Sequence, residues 1–281
     1  MTDVLAQAVL IVGAGTMGRQ IAATFAKNGA ADLHVYEPNE SQRESARAWI
    51  DEFVGAEYAA TVRLTGELEP AEAAIVIEAV PEKTDLKREV LTQLLGAMPD
   101  ATILTNSSSM PVDRLFESDE EDPAFARLAN LHFYVRPWER RVVELMTSGS
   151  TDTARLDQVQ SYMEAAGFRV FRLRKPSFGL LYNRIWAAVK REALAIVDEG
   201  IASPNEIDEI CRALDPQPAR GPFERMDTVG LDTIQLIETS YASERGTTVS
   251  QTLNDLVAAR QLGRKTGLGF YSYQHDAEEG K

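Results

Sequence analysis

The sequence is short of cysteine, of histidine and of long apolar runs, and each shortage excludes a class of protein. Cys211 is the only cysteine among 281 residues, so a disulfide within the chain is excluded. Three histidines and no Cys/His cluster offer no ligand set for a metal, and we expect no metal. The apolar run that begins at Ala8 ends in glycines, far short of the about 18 residues of a membrane span. Asp3 stands where a signal peptide carries lysines, so we expect a cytoplasmic protein without membrane contact.

Basic residues are also scarce. Lysine and arginine number 29 against 43 aspartates and glutamates, which gives a formal net charge of −14. A surface this negative repels phosphate backbones, and we expect no nucleic-acid partner. The apolar share of 44% and the charged share of 26% are those of an ordinary globular protein, long enough for one large domain or two smaller ones.

Short apolar runs alternate with helical stretches from Val9 onward, which is typical of strands joined by helices in a parallel sheet. After about residue 180 the strand-like runs stop, and Trp186, Val189 and Ala193 recur at helical spacing. Proline and glycine interrupt the pattern at Pro176–Gly179. The sequence therefore predicts an α/β first part and an all-α second part. The strand-like runs are VLIV, LHVY, AIVIEAV, TILTN and LANLHF.

A glycine-rich motif follows the first predicted strand and opens a helix. Gly13 permits a tight turn, Gly15 lets a pyrophosphate approach the backbone, and Gly18 lets the helix pack on the strand. With Thr16 and Met17 these glycines are the predicted cofactor contacts, and the phosphates are expected at the positive helix end. The alternative is a turn without a ligand. FAD uses the same fingerprint, so the motif indicates a dinucleotide and no particular reaction.

An acidic residue at the end of the second predicted strand narrows the choice of dinucleotide. Glu37 stands 24 residues after Gly13, where a carboxylate binds ribose hydroxyls and repels a 2′-phosphate. NAD is therefore favoured over NADP, and Arg43 is interpreted as a solvated helix residue. We expect an N-terminal Rossmann domain over residues 1–178 and a helical C-terminal domain over 179–281.

One of the three histidines is a candidate general base. His132 ends the predicted strand Ala129–Phe133, whereas His34 and His275 are expected to be structural or solvated. Glu144 interrupts an apolar run and needs a partner, for which an imidazole is suitable. Such a carboxylate fixes the imidazole tautomer and raises its pKa. The alternative is a solvent-facing edge-strand glutamate and a structural histidine.

Several separate blocks of sequence resemble the L-3-hydroxyacyl-CoA dehydrogenase family, in the same order and almost from end to end. The resemblance implies an NAD-dependent oxidoreductase of 3-hydroxyacyl thioesters that forms a homodimer through its helical domain. The blocks are GAGTMG, IEAVPEKTDLKREV, LTNSSSM, LHF followed by VVELM, YNR, GPFERMDTVGLDT and GRKTGLGFYSY.

The resemblance also implies a set of site residues. The His–Glu pair of the family corresponds to His132 and Glu144, its active-site serine to Ser108 and its asparagine before arginine to Asn183. Its acidic residue beside the nicotinamide ribose corresponds to Glu82, and the lysine that follows to Lys87. Without the resemblance, helix caps are the alternative roles of Ser108 and Asn183.

The sequence departs from the family on the substrate side. The motif His-Phe-Phe-Asn-Pro becomes His132-Phe133-Tyr134-Val135-Arg136-Pro137, which places Arg136 where it can clamp a substrate anion. With Arg140 and Arg141 it can equally form a solvated basic face. The stretch between Glu37 and Glu78 is shorter than expected of the family, and its remaining part, Ser41–Pro70, has no lysine. The acyl carrier is therefore left open between CoA, an acyl carrier protein and a free 3-hydroxy acid.

Two other functions compete with this interpretation. Related two-domain hydroxyacid or imine reductases use a lysine on the helix between domains, and Lys190 lies seven residues after Asn183. A non-catalytic NAD-binding protein descended from a dehydrogenase is the second alternative. The His132–Glu144 pair favours the dehydrogenase over the reductases. Intact His132, Glu144, Ser108 and Asn183 speak against a non-catalytic protein.

Overall fold

The computed structural model describes residues 4–68, 73–116, 123–214 and 220–273. The chain divides into two compact units, Met1–Leu181 and Tyr182–Lys281. Among the described residues, no helix combines the length and the apolar character that crossing a membrane requires.

The described residues of the first unit form a sheet of eight strands in the order β3-β2-β1-β4-β5-β6-β7-β8. Every neighbouring pair is parallel except β6 and β7, which run antiparallel. The strands are β1 Val9–Val12, β2 Leu33–Tyr36, β3 Val62–Thr65, β4 Ile75–Glu78, β5 Thr102–Thr105, β6 Leu128–Phe133, β7 Val142–Thr147 and β8 Arg169–Leu173. The helices are α1 Thr16–Lys27, α2 Glu40–Val54, α3 Ala56–Ala59, α4 Thr84–Ala97, α5 Val112–Leu115, α6 Pro137–Arg140 and α7 Thr153–Ala165.

The central strands carry apolar side chains on both faces because helices cover both. Side chains of α1, α2 and α7 pack in one core cluster, and side chains of α4 and α5 pack in another. Phe25 of α1 is fully buried in the first cluster, where its ring makes edge contacts with Phe133, Tyr162 and Phe168. This two-sided burial is what the near-continuous apolar runs predict for a parallel sheet.

The second unit is helical. Two buried carboxylates fix its backbone: Asp208 accepts the Phe223 and Glu224 N–H groups in the first turn of a helix, and Asp227 accepts those of Phe270 and Tyr271. The predicted α/β first part and helical second part are thus confirmed. The helices of the second unit are α8 Leu181–Asp198, α9 Pro204–Leu214, α10 Pro222–Val229, α11 Leu231–Arg245 and α12 Gln251–Ala258. Helix α8 begins with Leu181, the last residue of the first unit.

Candidate active site

The loop between β1 and α1 has the shape of a phosphate cradle. Gly13 adopts φ 98°, a conformation that L side chains rarely adopt. A Cβ on Gly18 would lie 1.8 Å from the Gly13 carbonyl oxygen, so only glycine permits this contact of helix and loop. The exposed Thr16 begins α1, while Met17 packs against the first core cluster. The backbone N–H groups at this helix end fit the anionic pyrophosphate of a dinucleotide.

Glu37 is fixed beside this loop. Its carboxylate accepts the Ala14 and Asn39 backbone N–H groups, each at 3.0 Å. Next to it, a cavity of about 300 Å³ opens between the start of α1 and the start of α2. Arg43 was expected to be solvated, but its side chain is half-buried. Its guanidinium donates a hydrogen bond to the Glu37 carbonyl at 2.7 Å, which holds it against the protein. The cavity is lined by Ala14, Gly15, Thr16, Arg19, Ser41, Gln42 and Ser45.

Glu82 organises the loop that follows β5. Its carboxylate accepts the Ser107 hydroxyl at 2.6 Å, the Ser109 hydroxyl at 3.0 Å and the Ser108 backbone N–H at 3.2 Å. Burial raises the pKa of Glu82, but Lys87 and the serine hydroxyls outweigh burial and hold this pKa below its usual value. Glu82 and Ser108, predicted separately, are therefore brought together, and Ser108 stays exposed.

Lys87 is buried rather than open to a ligand. Its side chain is 1% exposed, and its ammonium forms ion pairs with Glu78 at 2.8 Å and Glu82 at 3.3 Å. Glu78 in turn accepts the Thr105 hydroxyl at 2.6 Å, which ties the ends of β4 and β5 together. Contact of Lys87 with a cofactor stays a prediction. In this arrangement the lysine acts on the site by fixing Glu82.

His132 and Glu144 face each other across the antiparallel pair of β6 and β7. His132 is 7% exposed, and its Nδ1 is buried without a hydrogen-bond partner among the described residues. Burial lowers the pKa of His132 to about 4, although the negative charge of Glu82 opposes the shift. The predicted rise of the imidazole pKa is therefore wrong, because desolvation outweighs the charge of Glu82.

The Glu144 carboxylate has partners that the sequence did not reveal. Oε2 accepts the Leu181 backbone N–H at 2.6 Å, and Oε1 accepts the Tyr134 hydroxyl. The Tyr134 ring also meets the His132 ring edge to face, with centroids 4.8 Å apart. Because β8 lies beyond β7 and Glu144 is 2% exposed, the alternative of a solvent-facing edge-strand glutamate is wrong.

The loop after His132 is held in an unusual backbone conformation. Arg136 adopts φ 59° although a proline follows it, a combination that sterics disfavour twice. Its backbone N–H donates to the Gln20 side chain at 3.0 Å, which anchors the loop to α1. The Arg136 side chain is 63% exposed and lies 3.3 Å from the Glu139 carboxylate. Its role as a substrate clamp stays a prediction.

The remaining predicted residues belong to the second unit or to β2, or they lie outside the described residues. Asn183 is half-buried on α8 and belongs to the second unit. Lys190 of the same helix is 1% exposed and paired with Glu238 at 2.6 Å, so it is buried within the second unit. His34 bonds to Asp32 at 2.7 Å. His275 is outside the described residues.

Sequence reasoning missed Asn106 as well as Tyr134. The Asn106 side chain accepts the Phe133 backbone N–H at 2.9 Å and so joins the end of β5 to the end of β6, beside His132. An amide directly after the apolar run TILT was a usable signal. Tyr134 had none, because its partner depends on how β6 and β7 align.

Comparison with known proteins places the chain in a family. The model for the 3-hydroxyacyl-CoA dehydrogenase NAD-binding domain matches residues 8–175, and the model for the C-terminal domain matches residues 179–273. The NAD-binding match confirms the cofactor predicted from Glu37.

Individual relatives agree over nearly the whole chain. A probable 3-hydroxyacyl-CoA dehydrogenase of Caenorhabditis elegans is 30% identical over 95% of this chain and 92% of its own length. A 3-hydroxybutyryl-CoA dehydrogenase of Clostridioides difficile is 29% identical over 94% and 98%, respectively. The crystal structure of (S)-3-hydroxybutyryl-CoA dehydrogenase from Ralstonia eutropha matches with a TM-score of 0.85 at 27% identity, over 96% of this chain and 99% of that one. The chain therefore belongs to the 3-hydroxyacyl-CoA dehydrogenase family.

Proposed function

We propose that the chain transfers hydride reversibly between NAD and the C3 hydroxyl group of an L-3-hydroxyacyl thioester, with His132 as the general base. The observation that carries this proposal is the position of His132, buried opposite Glu144 at the end of β6. Since β6 runs parallel to β5, this end lies at the carboxyl edge of the sheet, where α/β enzymes bind their ligands.

The cofactor side of the proposal uses residues of the first unit. The β1–α1 loop holds the pyrophosphate, Glu37 accepts the adenosine ribose hydroxyls, and Glu82, fixed by Lys87, binds near the nicotinamide ribose. When bound, NAD⁺ accepts the hydride that leaves C3 of the substrate. We assign the cofactor role to residues 1–178 and the substrate and dimer roles to residues 179–281.

In this proposal His132 accepts and returns the proton. With a pKa of about 4 the imidazole is neutral at pH 7, which is the form that can accept a proton. As the hydride leaves C3, the imidazole takes the hydroxyl proton and becomes a cation opposite Glu144. In the reverse direction the imidazolium returns the proton to the ketone oxygen. Ser108 hydrogen-bonds a substrate oxygen, and Asn183 is retained as a substrate contact on the resemblance.

The carrier, the assembly and the location are finer proposals. CoA is the carrier that the family suggests, with an acyl carrier protein or a free 3-hydroxy acid as alternatives that exposed Arg136 also suits. A homodimer is supported by Ile185 and Val189, which lie one turn apart on α8 and are 63% and 43% exposed. We propose a cytoplasmic location.

The test follows NADH absorbance at 340 nm with 3-hydroxybutyryl-CoA, longer 3-hydroxyacyl-CoAs, acyl-carrier-protein thioesters and free 3-hydroxy acids. We expect turnover with a thioester, and His132→Gln should lower kcat by about 10²- to 10⁴-fold. His34→Gln is the matched control and should keep wild-type turnover. Normal turnover in His132→Gln would refute the role of the base, and no NADH with any substrate would favour a non-catalytic NAD-binding protein.

A further inference from the structure

Tyr134 joins the two residues on which the proposed chemistry depends. We propose that Tyr134 is a positioning residue: its hydroxyl engages the Glu144 carboxylate before substrate binds, withholds it from His132, and so sets the pH range in which His132 serves as a base. The inference rests on the proposed function for its catalytic meaning, but the contact itself is independent of activity.

The geometry places Tyr134 between the histidine and the acid. Tyr134 directly follows β6 and comes two residues after His132, which is the spacing of side chains on one face of a strand. Its ring packs edge to face on the imidazole at a centroid distance of 4.8 Å, and its hydroxyl donates to Glu144 Oε1. One side chain therefore touches both partners.

The distribution of hydrogen bonds shows which partner the carboxylate has taken. Glu144 Oε1 accepts from Tyr134 and Oε2 accepts from the Leu181 backbone at 2.6 Å. By contrast, Nδ1 of His132 is buried and has no partner among the described residues. The register of β6 and β7 brings the imidazole and the acid opposite each other, yet the acid is held by the tyrosine.

This competition matters most when the histidine gains a proton. A charged N–H donor bonds a carboxylate about twice as strongly as a neutral donor does. A Glu144 carboxylate that turned to His132 would therefore stabilise the imidazolium more than the neutral imidazole and raise the histidine pKa. A tyrosine that holds Glu144 removes this advantage and keeps His132 neutral to lower pH. The other charge that acts on His132 is that of Glu82, which is itself paired with Lys87.

The sequence supplies the natural comparison. The motif that this chain resembles, His-Phe-Phe-Asn-Pro, has a phenylalanine where Tyr134 stands, and a phenylalanine keeps the ring contact but has no hydroxyl. Tyr134→Phe therefore restores the family residue and removes one hydrogen bond. Tyr58→Phe is the matched control, because Tyr58 is 40% exposed on the short helix α3, remote in sequence from the histidine loop.

The direct experiment is an NMR titration of the histidine side chains in the protein without substrate. Only three histidines occur, so the signals can be assigned with His34→Gln and His275→Gln variants. We expect wild-type His132 to titrate below pH 5, and Tyr134→Phe to raise its pKa by at least one unit. Tyr58→Phe should leave the titration unchanged. In a Glu144→Gln background, Tyr134→Phe should no longer shift the pKa, because the carboxylate that mediates the effect is gone.

The pH dependence of kcat/KM gives the functional readout. In Tyr134→Phe the acidic limb of the oxidative reaction should move to higher pH by the same amount as the NMR pKa. The plateau value of kcat/KM should change by a smaller factor than the acid dissociation constant of His132 does. Identical His132 titrations in wild type and Tyr134→Phe would overturn the proposal, as would a shift that persists with Glu144→Gln. Wild-type His132 titrating above pH 6.5 would overturn it even if the variant did not fold. If Tyr134→Phe shifts the His132 pKa as expected but His132→Gln remains fully active, the proposed function fails. The proposed role of the Tyr134–Glu144 contact then still stands.

Discussion

His132 is the residue whose environment departs most from what its sequence context predicts. An apolar strand end and a nearby acid suggested an imidazole with a raised pKa, and both residues were correctly identified as neighbours. The depth of burial reversed the sign, because the desolvation of a charge inside the sheet depends on packing that only the fold determines.

This burial makes folding stability depend on pH. Unfolded His132 titrates near 6.5 and folded His132 near 4, so below pH 6.5 the unfolded chain binds a proton that the folded chain does not. Stability is therefore lost as pH falls from 6.5 to 4, by about 3 kcal/mol in total. Urea unfolding of wild type and His132→Gln at pH 7 and pH 4 measures the difference. Equal losses in the two proteins would contradict the prediction.

Arg136 carries a conformational cost that a smaller residue would relieve. Its φ of 59° before a proline favours glycine. We expect Arg136→Gly to raise the free energy of unfolding by about 1 kcal/mol. The same change should raise the KM for anionic substrates, because a charged contact is lost. Arg140→Ala, an exposed change in α6, is the control and should alter stability by less than about 0.5 kcal/mol. A destabilised Arg136→Gly would show that the arginine side chain supports the loop.

Among the elements, the β1–α1 loop was predictable because its glycines follow from backbone sterics alone. A Cβ at position 18 has no room, so Gly18→Ala should lower NAD affinity at least tenfold and destabilise the protein by about 2 kcal/mol or more. Gly96→Ala is the contrasting change, since Gly96 lies in α4 with open space around it. This substitution should raise the free energy of unfolding by about 0.5–1 kcal/mol. Calorimetric titration with NAD and thermal melts measure both. Unaltered NAD binding in Gly18→Ala would contradict the cradle.

Besides β7, whose apolar run was not among the predicted strands, the sequence did not predict β3 and β8, and these two lie at the edges of the sheet. Arg63 in β3, and Arg169 and Arg172 in β8, interrupt the apolar pattern by which the central strands were recognised. Charged side chains on edge strands are a common protection against unwanted pairing, so the feature that protects the edge also hid it. The antiparallel pairing of β6 with β7, and with it the Tyr134–Glu144 contact, followed from no local pattern.

At the scale of the whole molecule, the two-part organisation was predicted because the strand-like pattern stops along the chain. The proposed dimer has a simple test. Ile185 is 63% exposed on an apolar stripe of α8, and Ile185→Glu places a charge there. Light scattering should therefore show a monomer for this variant in place of the proposed dimer. Val135→Glu, an exposed change in the first unit, should leave the mass unchanged. A wild-type monomer would refute the proposed assembly.

The buried position of Lys87 has one more consequence. Acyl thioesters, the substrates proposed for this chain, acylate free amines spontaneously, and every exposed lysine is open to this damage. Lys87 is 1% exposed and forms ion pairs with Glu78 and Glu82, so a thioester in solution does not reach its nitrogen. Lys87, which is paired with Glu82 of the proposed cofactor site, is thereby shielded from acylation by the proposed thioester substrates.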